Sequence, residues 1–226
     1  MKKLVVFTGA GVSAESGIQT FRDAGGLWEG FQIEEVATPR AWKKNPEMVL
    51  RFYNERRKNV LEASPNLAHR LIAQLQESYD VEVITQNIDD LHERAGSEKV
   101  LHLHGELLKM RSEHDSDLVY PILTDIRIGD LAEDGAQLRP SIVWFEEPVP
   151  MMEEAIRIAM QADIFIVIGT SLVVYPAASL LHYTDPHTPV FVIDKKIPII
   201  HRSHVTYIEM PATEGMNELL IALNTI

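Results

Sequence analysis

Several short groups of polar and glycine residues carry the chemistry this chain can do. Thr8-Gly9-Ala10-Gly11-Val12-Ser13-Ala14 follows directly on the apolar run Leu4–Phe7. As Gly-x-Gly-x-x-Ala after a first strand it is a dinucleotide fingerprint. Its glycines allow a tight turn and let a phosphate approach the backbone, and a following helix would aim its N-terminus at the negative charge. On these residues alone a tight strand-to-helix turn without a ligand stays open. Gln86, Asn87 and Asp89 follow a second apolar run, and an amide pair plus a carboxylate suits ribose hydroxyls and a carboxamide. Capping of a helix near Asp90 would account for Asp89 but not for the two amides. His104, just ahead of Gly105, is the candidate general base at the end of a strand, with the glycine leaving room for substrate. An imidazole with a pKa of about 6.5 suits removal of a hydroxyl proton near neutrality. His102 stands two residues earlier, so on a strand both rings share a face, and a metal-binding His-x-His is the competing reading. Gly169-Thr170-Ser171 ends the most hydrophobic run, Ile164–Ile168, and Asp194 ends the next. Amides and hydroxyls there suit phosphate and ribose.

These groups need elements that bring them to one edge. Short apolar runs alternate with amphipathic segments, which predicts an α/β fold, a Rossmann-like parallel sheet with helices on both faces. The expected strands are Leu4–Phe7, Val81–Thr85, Val100–Leu103, Ile142–Trp144, Ile164–Ile168, Val190–Ile193 and Val205–Ile208; the expected helices are Pro46–Glu62, Pro65–Glu77, Pro150–Met160 and Gly215–Leu223. Asn45 as N-cap and Pro46 in the first turn start the first of these helices well. Between about Leu107 and Arg139 the chain is polar and irregular, which predicts a small inserted lobe at 107–140 within a main domain of 1–106 and 141–226.

Composition narrows the partners. The net charge of -12, from 33 acidic against 21 basic residues, repels a phosphate backbone, so nucleic acid is excluded and basic peptides are favoured. With no cysteine among 226 residues there is neither a disulfide nor a thiolate metal site. The run Leu4–Phe7 is too short for a signal region, and no stretch is long enough to span a bilayer. The expectation is a cytoplasmic monomer away from membranes.

The run GAGVSAESGIQTFRDAGGLW resembles the cofactor-binding signature of the sirtuin family. TQNIDDLH from Thr85, LHLHGE from Leu101, IVWF from Ile142 and GTSL from Gly169 follow in that family's order. The resemblance covers nearly the whole chain. It implies NAD as cofactor and acylated lysine peptides or proteins as substrates. It implies NAD contacts from Gly9, Ala10, Gly11, Ser13, Phe21, Arg22, Gln86, Asn87, Asp89, Gly169, Thr170, Ser171 and Asp194, with His104, Asn87 and Asp89 catalytic. In such a reaction the acyl oxygen attacks C1′ of the nicotinamide ribose, and the histidine then takes a ribose hydroxyl proton. Free lysine, nicotinamide and 2′-O-acyl-ADP-ribose result. Val143 and Phe145 belong to the segment that pairs with the peptide.

Tyr53 and Arg56 are three apart on one helical face, and a phenol beside a guanidinium can receive a carboxylate; an ordinary solvated face is the alternative. With the small Ala24, the pair resembles the sirtuin subclass that removes succinyl and malonyl groups, and implies those substrates beside acetyl. Two departures stand out. The family's four zinc cysteines are absent, so no metal is expected and packing of Leu118, Val119, Tyr120, Ile122, Leu123, Ile126 and Ile128 should hold the lobe. Glu146 stands where the family usually has glycine. The rival functions are NAD hydrolysis or ADP-ribosyl transfer from the same pocket, a non-catalytic binding module and a dehydrogenase.

Overall fold

The computed structural model describes residues 1–19, 31–198 and 200–225. Phe21, Arg22 and Ala24 lie outside the described residues. In chain order the strands are β1 (Lys3–Thr8), β2 (Asp80–Thr85), β3 (Val100–His102), β4 (Gly105–Ser112), β5 (Val119–Pro121), β6 (Leu138–Ile142), β7 (Ile164–Ile168), β8 (Val190–Ile193) and β9 (Val205–Ile208). The α-helices are α1 (Ile33–Val36), α2 (Pro39–Lys44), α3 (Pro46–Glu62), α4 (Leu67–Gln74), α5 (Leu91–Arg94), α6 (Met152–Met160) and α7 (Ala212–Leu223).

Continuous apolar runs bury both faces of a strand, and parallel pairing is the arrangement that covers both. β1, β2, β3, β7, β8 and β9 form one parallel sheet in the order β3-β2-β1-β7-β8-β9. Alternate side chains serve opposite layers. Leu4, Val6, Val83 and Ile166 pack on α4 and α7 through Ile72, Met216 and Leu219. Val5, Phe7, Phe165 and Val192 pack the other way, on α6 and the 3-10 turns of Ala177–Tyr183 through Ile158 and Leu180. Each such side chain contributes roughly 1.5–3 kcal/mol of burial. The strand order reverses between β1 and β7, the place where open α/β sheets open a crevice at their carboxyl ends.

The expected α/β fold is this one, with local differences. Helix Pro65–Glu77 begins at Leu67, because Asn66 caps it by accepting from the amides of Ala68 and His69, and its last turn is 3-10. The glycine turn leads into 3-10 turns, Ala10–Val12 and Ala14–Ser16, so among the described residues no α-helix directly follows it to aim its dipole there. Finally, the stretch expected to be irregular contains a second, antiparallel sheet, β5-β4-β6. Its strand β6 ends at Ile142, where Ile142–Trp144 was the expected strand. Glu147 reaches back to the Trp144 amide at 2.7 Å and the chain turns away.

What holds this second sheet differs from the expected packing. Ile126 is buried and Leu118, Tyr120 and Ile122 partly so, all against α3, but Val119, Leu123 and Ile128 are 41%, 65% and 50% exposed. Polar ties from α3 replace them. Asn54 donates to the Ile126 carbonyl at 2.9 Å and accepts from its amide at 3.0 Å. The buried Arg57 donates to the carbonyls of Leu107 and Thr124. Further out, Ser112 donates to Asp134 at 2.6 Å, and the Gln137 amide ties the carbonyls of Arg127 and Asp130. Among the described residues no group of three or more His, Asp or Glu could hold a metal ion, and no helix is long and apolar enough to cross a membrane.

Candidate functional site

The carboxyl ends of β1, β2, β3 and β7 bring four of the chemistry-bearing groups together. Gly9 donates to the carbonyl of Ile168 and Gly11 to that of Gly169, at 3.0 and 2.8 Å, so the two glycine turns lie directly against each other. A Cβ at Gly11 would stand 2.6 Å from the Gly169 Cα, and one at Gly169 2.4 Å from the Val12 nitrogen. These glycines are therefore required first by the contact between the two loops. That contact uses the amides of Gly9 and Gly11, while the amides of Ala10, Thr170 and Ser171 have no partner among the described residues. Unpartnered amides beside one another at a sheet edge are donors for a diphosphate.

Ser13 is the hub of the polar interior. Its hydroxyl donates to Asp89 Oδ2 at 3.1 Å and accepts from the Asn87 amide at 3.0 Å. Nε2 of His69 also faces it, at 3.4 Å. The Asn66 amide donates to His69 Nδ1, so the His69 proton sits on Nε2 and Ser13 accepts it. Ser13 thus fills its one donor and two acceptor positions. Asp89 also accepts from the Leu91 amide at 3.1 Å, so it does cap the helix start, as one sequence reading had it. Burial pushes the Asp89 carboxyl up, against the Leu91 and Ser13 bonds. Gln86 donates to the Thr170 hydroxyl at 2.9 Å, joining β2 to β7 across the crevice.

His104 lies in the turn between β3 and β4 and not on the strand itself. Its Nδ1 meets the Gln86 carbonyl at 3.1 Å, and a carbonyl only accepts, so Nδ1 carries the proton. Nε2 is left with its lone pair and no described partner. Burial holds the ring below the usual imidazole value, opposed by the Gln86 bond. The His104 ring is therefore neutral at physiological pH. Gly105 has its own reason: its φ is +80° and a Cβ would stand 2.1 Å from the Ser141 carbonyl oxygen, so glycine is what lets β4 approach β6. The Val143 amide donates to the His104 carbonyl at 2.9 Å, placing the Val143–Phe145 segment beside that histidine. The Phe145 amide donates to the Ala37 carbonyl at 3.0 Å, and the residue is 44% exposed.

The Tyr53 and Arg56 side chains are both buried in α3 and neither is on a solvated face. Trp144 donates its indole N–H to the Tyr53 hydroxyl at 3.1 Å. Arg139 lies over the same indole, its guanidinium carbon 3.2 Å from the ring centroid, and grips Glu147 at 2.9 and 3.2 Å. Glu146 has φ +74°, the left-handed region where glycine is usual, and pairs with Arg40. Asp194 is buried and accepts from the Lys196 amide at 2.9 Å.

Sequence reasoning missed His69, Asn66, Glu147 and Arg139. Only Asn66 carried a local signal, as a helix cap; the others act on residues that folding brings near, as His69 does on Ser13.

Comparison with known proteins adds the last finding. The Sir2 family matches residues 9–176. The chain is 55% identical to a Helicobacter pylori protein named NAD-dependent protein deacylase, over 97% of this chain and 96% of that one. It is 52% identical to a Bacteroides thetaiotaomicron protein of the same name, over 97% of each. Among solved structures, a Sir2 homologue in complex with NAD superposes with a TM-score of 0.88 at 40% identity, covering 99% of this chain and 90% of that one. A Sir2 protein with a deacetylated p53 peptide and 3′-O-acetyl ADP-ribose gives 0.83 at 33% identity, covering 97% and 92%.

Proposed function

The chain belongs to the Sir2 family and is an NAD-dependent protein deacylase of the sirtuin type, and from that premise we propose that it removes succinyl and malonyl groups from lysine side chains, with acetyl groups accepted as well. The observation that carries the acyl preference is the buried pair Tyr53 and Arg56 on α3, and His104, a neutral imidazole with its Nε2 lone pair unengaged beside the loop that presents Asn87 and Asp89, supports the chemistry.

The residues fit the cofactor. The amides of Ala10, Thr170 and Ser171 suit its diphosphate; Gln86, Asn87 and Asp89 suit its sugar hydroxyls and carboxamide, and Asp194 its second ribose. When bound, NAD supplies the C1′–nicotinamide bond that breaks, and the products are nicotinamide and 2′-O-acyl-ADP-ribose. The chain's part is orientation and proton transfer. Ser13 fixes the Asn87 amide and the Asp89 carboxylate at one hydroxyl. His104 Nε2 takes a hydroxyl proton, and the bond from Nδ1 to Gln86 supports the imidazolium that forms. Tyr53 and Arg56 supply a donor and a positive charge within the core behind Trp144, which suits an acyl carboxylate. We read residues 107–140 as a small lobe on a main domain of 1–106 and 141–226, held without a metal.

One peptide carrying acetyl, succinyl, malonyl or glutaryl lysine, incubated with NAD, tests this reading. Turnover of the acidic acyl groups at least equal to acetyl is expected, with nicotinamide released in step. Nicotinamide release independent of acyl-peptide would replace it with NAD hydrolysis or ADP-ribosyl transfer.

A further inference from the structure

Two consecutive carbonyls of the loop after β2 are each held by a histidine ring from the segment beside it. Gln86 is held by His104 at 3.1 Å and Asn87 by His102 at 2.9 Å, each through Nδ1. The rings differ at their second nitrogen. Nε2 of His104 meets no described residue, whereas Nε2 of His102 lies 2.7 Å from Glu93 Oε1 on α5. A carbonyl and a carboxylate only accept, so His102 satisfies both only with a proton on each nitrogen.

We propose that His102 is a positioning residue, clamped as an imidazolium between Glu93 and the Asn87 carbonyl, that fixes the loop presenting Asn87 and Asp89. The proposal rests on the NAD reading above for its kinetic arm only. Burial disfavours the charge, but the Glu93 hydrogen bond and charge outweigh it and hold the ring above the usual imidazole value. The other groups that face the ring are engaged elsewhere: Glu106 with Lys109 at 2.7 Å, Asp90 with Arg94 at 3.6 Å, and Asp89 with Ser13. His92, also near, is kept neutral by burial. His102 and His104 thus divide two tasks between them, one ring charged and holding, the other neutral and available.

The sign follows from the geometry. As pH rises through the folded pKa of His102 the ring loses a proton and one bond must break. The KM for NAD should then rise by about fivefold, the loss of roughly one hydrogen bond, while kcat changes less. Glu93→Gln separates this from a structural effect, because an amide can donate to Nε2 and a neutral ring then keeps both contacts. The expected result is a KM profile flattened at high pH in Glu93→Gln. In the nitrogen-15 spectrum of the parent at neutral pH, His102 should show two protonated ring nitrogens and His104 one. A neutral His102 in the parent, or a Glu93→Gln profile that superposes on the parent's, would overturn the proposal. If no acylated peptide is turned over, the functional reading fails and the ring spectrum alone decides this one.

Discussion

Tyr53 on α3 and Trp144 in the loop after β6 are joined by a hydrogen bond of 3.1 Å, in which the indole N–H donates to the phenol oxygen. The phenol therefore keeps its own proton for another acceptor. Burial pushes its pKa up, with Arg56 pulling the other way, so the hydroxyl stays a donor throughout the working range. In the function proposed above, that acceptor is the acyl carboxylate. Arg56→Met is expected to cost desuccinylation about tenfold or more beyond its cost to deacetylation, the value of a charged hydrogen bond. Equal losses on the two substrates, measured as kcat/KM, would remove Arg56 from the acyl site.

Glu146 holds a left-handed backbone at φ +74° and pairs with Arg40, both on the surface. The conformation costs roughly 1–2 kcal/mol for a residue with a Cβ, while an exposed pair is worth about 0–1 kcal/mol. Glycine adds about 0.5–1 kcal/mol of unfolded-chain entropy on the other side. Glu146→Gly should accordingly leave stability unchanged or raise it by about 0.5 kcal/mol in urea unfolding. A loss above about 1 kcal/mol would mean that the ion pair dominates.

The second sheet depends on Asn54. Replacement by Ala leaves the amide and carbonyl of the buried Ile126 without partners and removes one of the acceptors of the Arg57 guanidinium, which donates to Asn54 at 2.7 Å. A loss of about 2–4 kcal/mol is expected. Treatment with a chelator should leave the Tm of the parent unchanged, since no cysteine is present to bind zinc. Stoichiometric zinc in purified protein, or a fall in Tm on chelation, would contradict this.

Acid should destabilise the fold through two buried rings. Burial lowers His69 to about 4, with Arg70 and Arg94 adding to it, and holds His92 well below 6.5. The unfolded chain takes up these protons near pH 6.5 while the native state refuses them, so stability falls as pH drops from about 6.5 toward 4. His102 acts with the opposite sign: its contribution is complete at low pH and is lost as pH rises through its raised folded pKa. Calorimetry at pH 7, 6 and 5 should show a falling Tm, with a shallower fall in His92→Gln. A Tm that holds or rises down to pH 5 would count against it.

The main sheet was legible because its central strands, buried on both faces, read as nearly unbroken apolar runs, with Gly9 following β1, Gln86 and Asn87 following β2, Gly169 following β7 and Asp194 following β8. The residues at those ends, from Gly9 to Asp194, could be picked out for the same reason. The second sheet was not legible. Its strand β5 is mostly exposed, β4 and β6 pair across a register shift, and their anchors are side chains such as Asn54, which meets Ile126 across 72 positions of sequence. Arg57 is buried beside Asn54, and no local feature of the sequence marks it as such. His102 and His104 looked like a pair sharing one face; what distinguishes them is Glu93, nine residues away in sequence.

The central claim is that His104, neutral and with Nε2 unengaged, is the base of an NAD-dependent deacylation. The direct measurement is the rate at which His104→Ala converts an acylated lysine peptide with saturating NAD, beside circular dichroism showing an unchanged fold. A fall of about 10²-fold or more is expected from the loss of general-base catalysis. Turnover equal to the parent's would contradict the account.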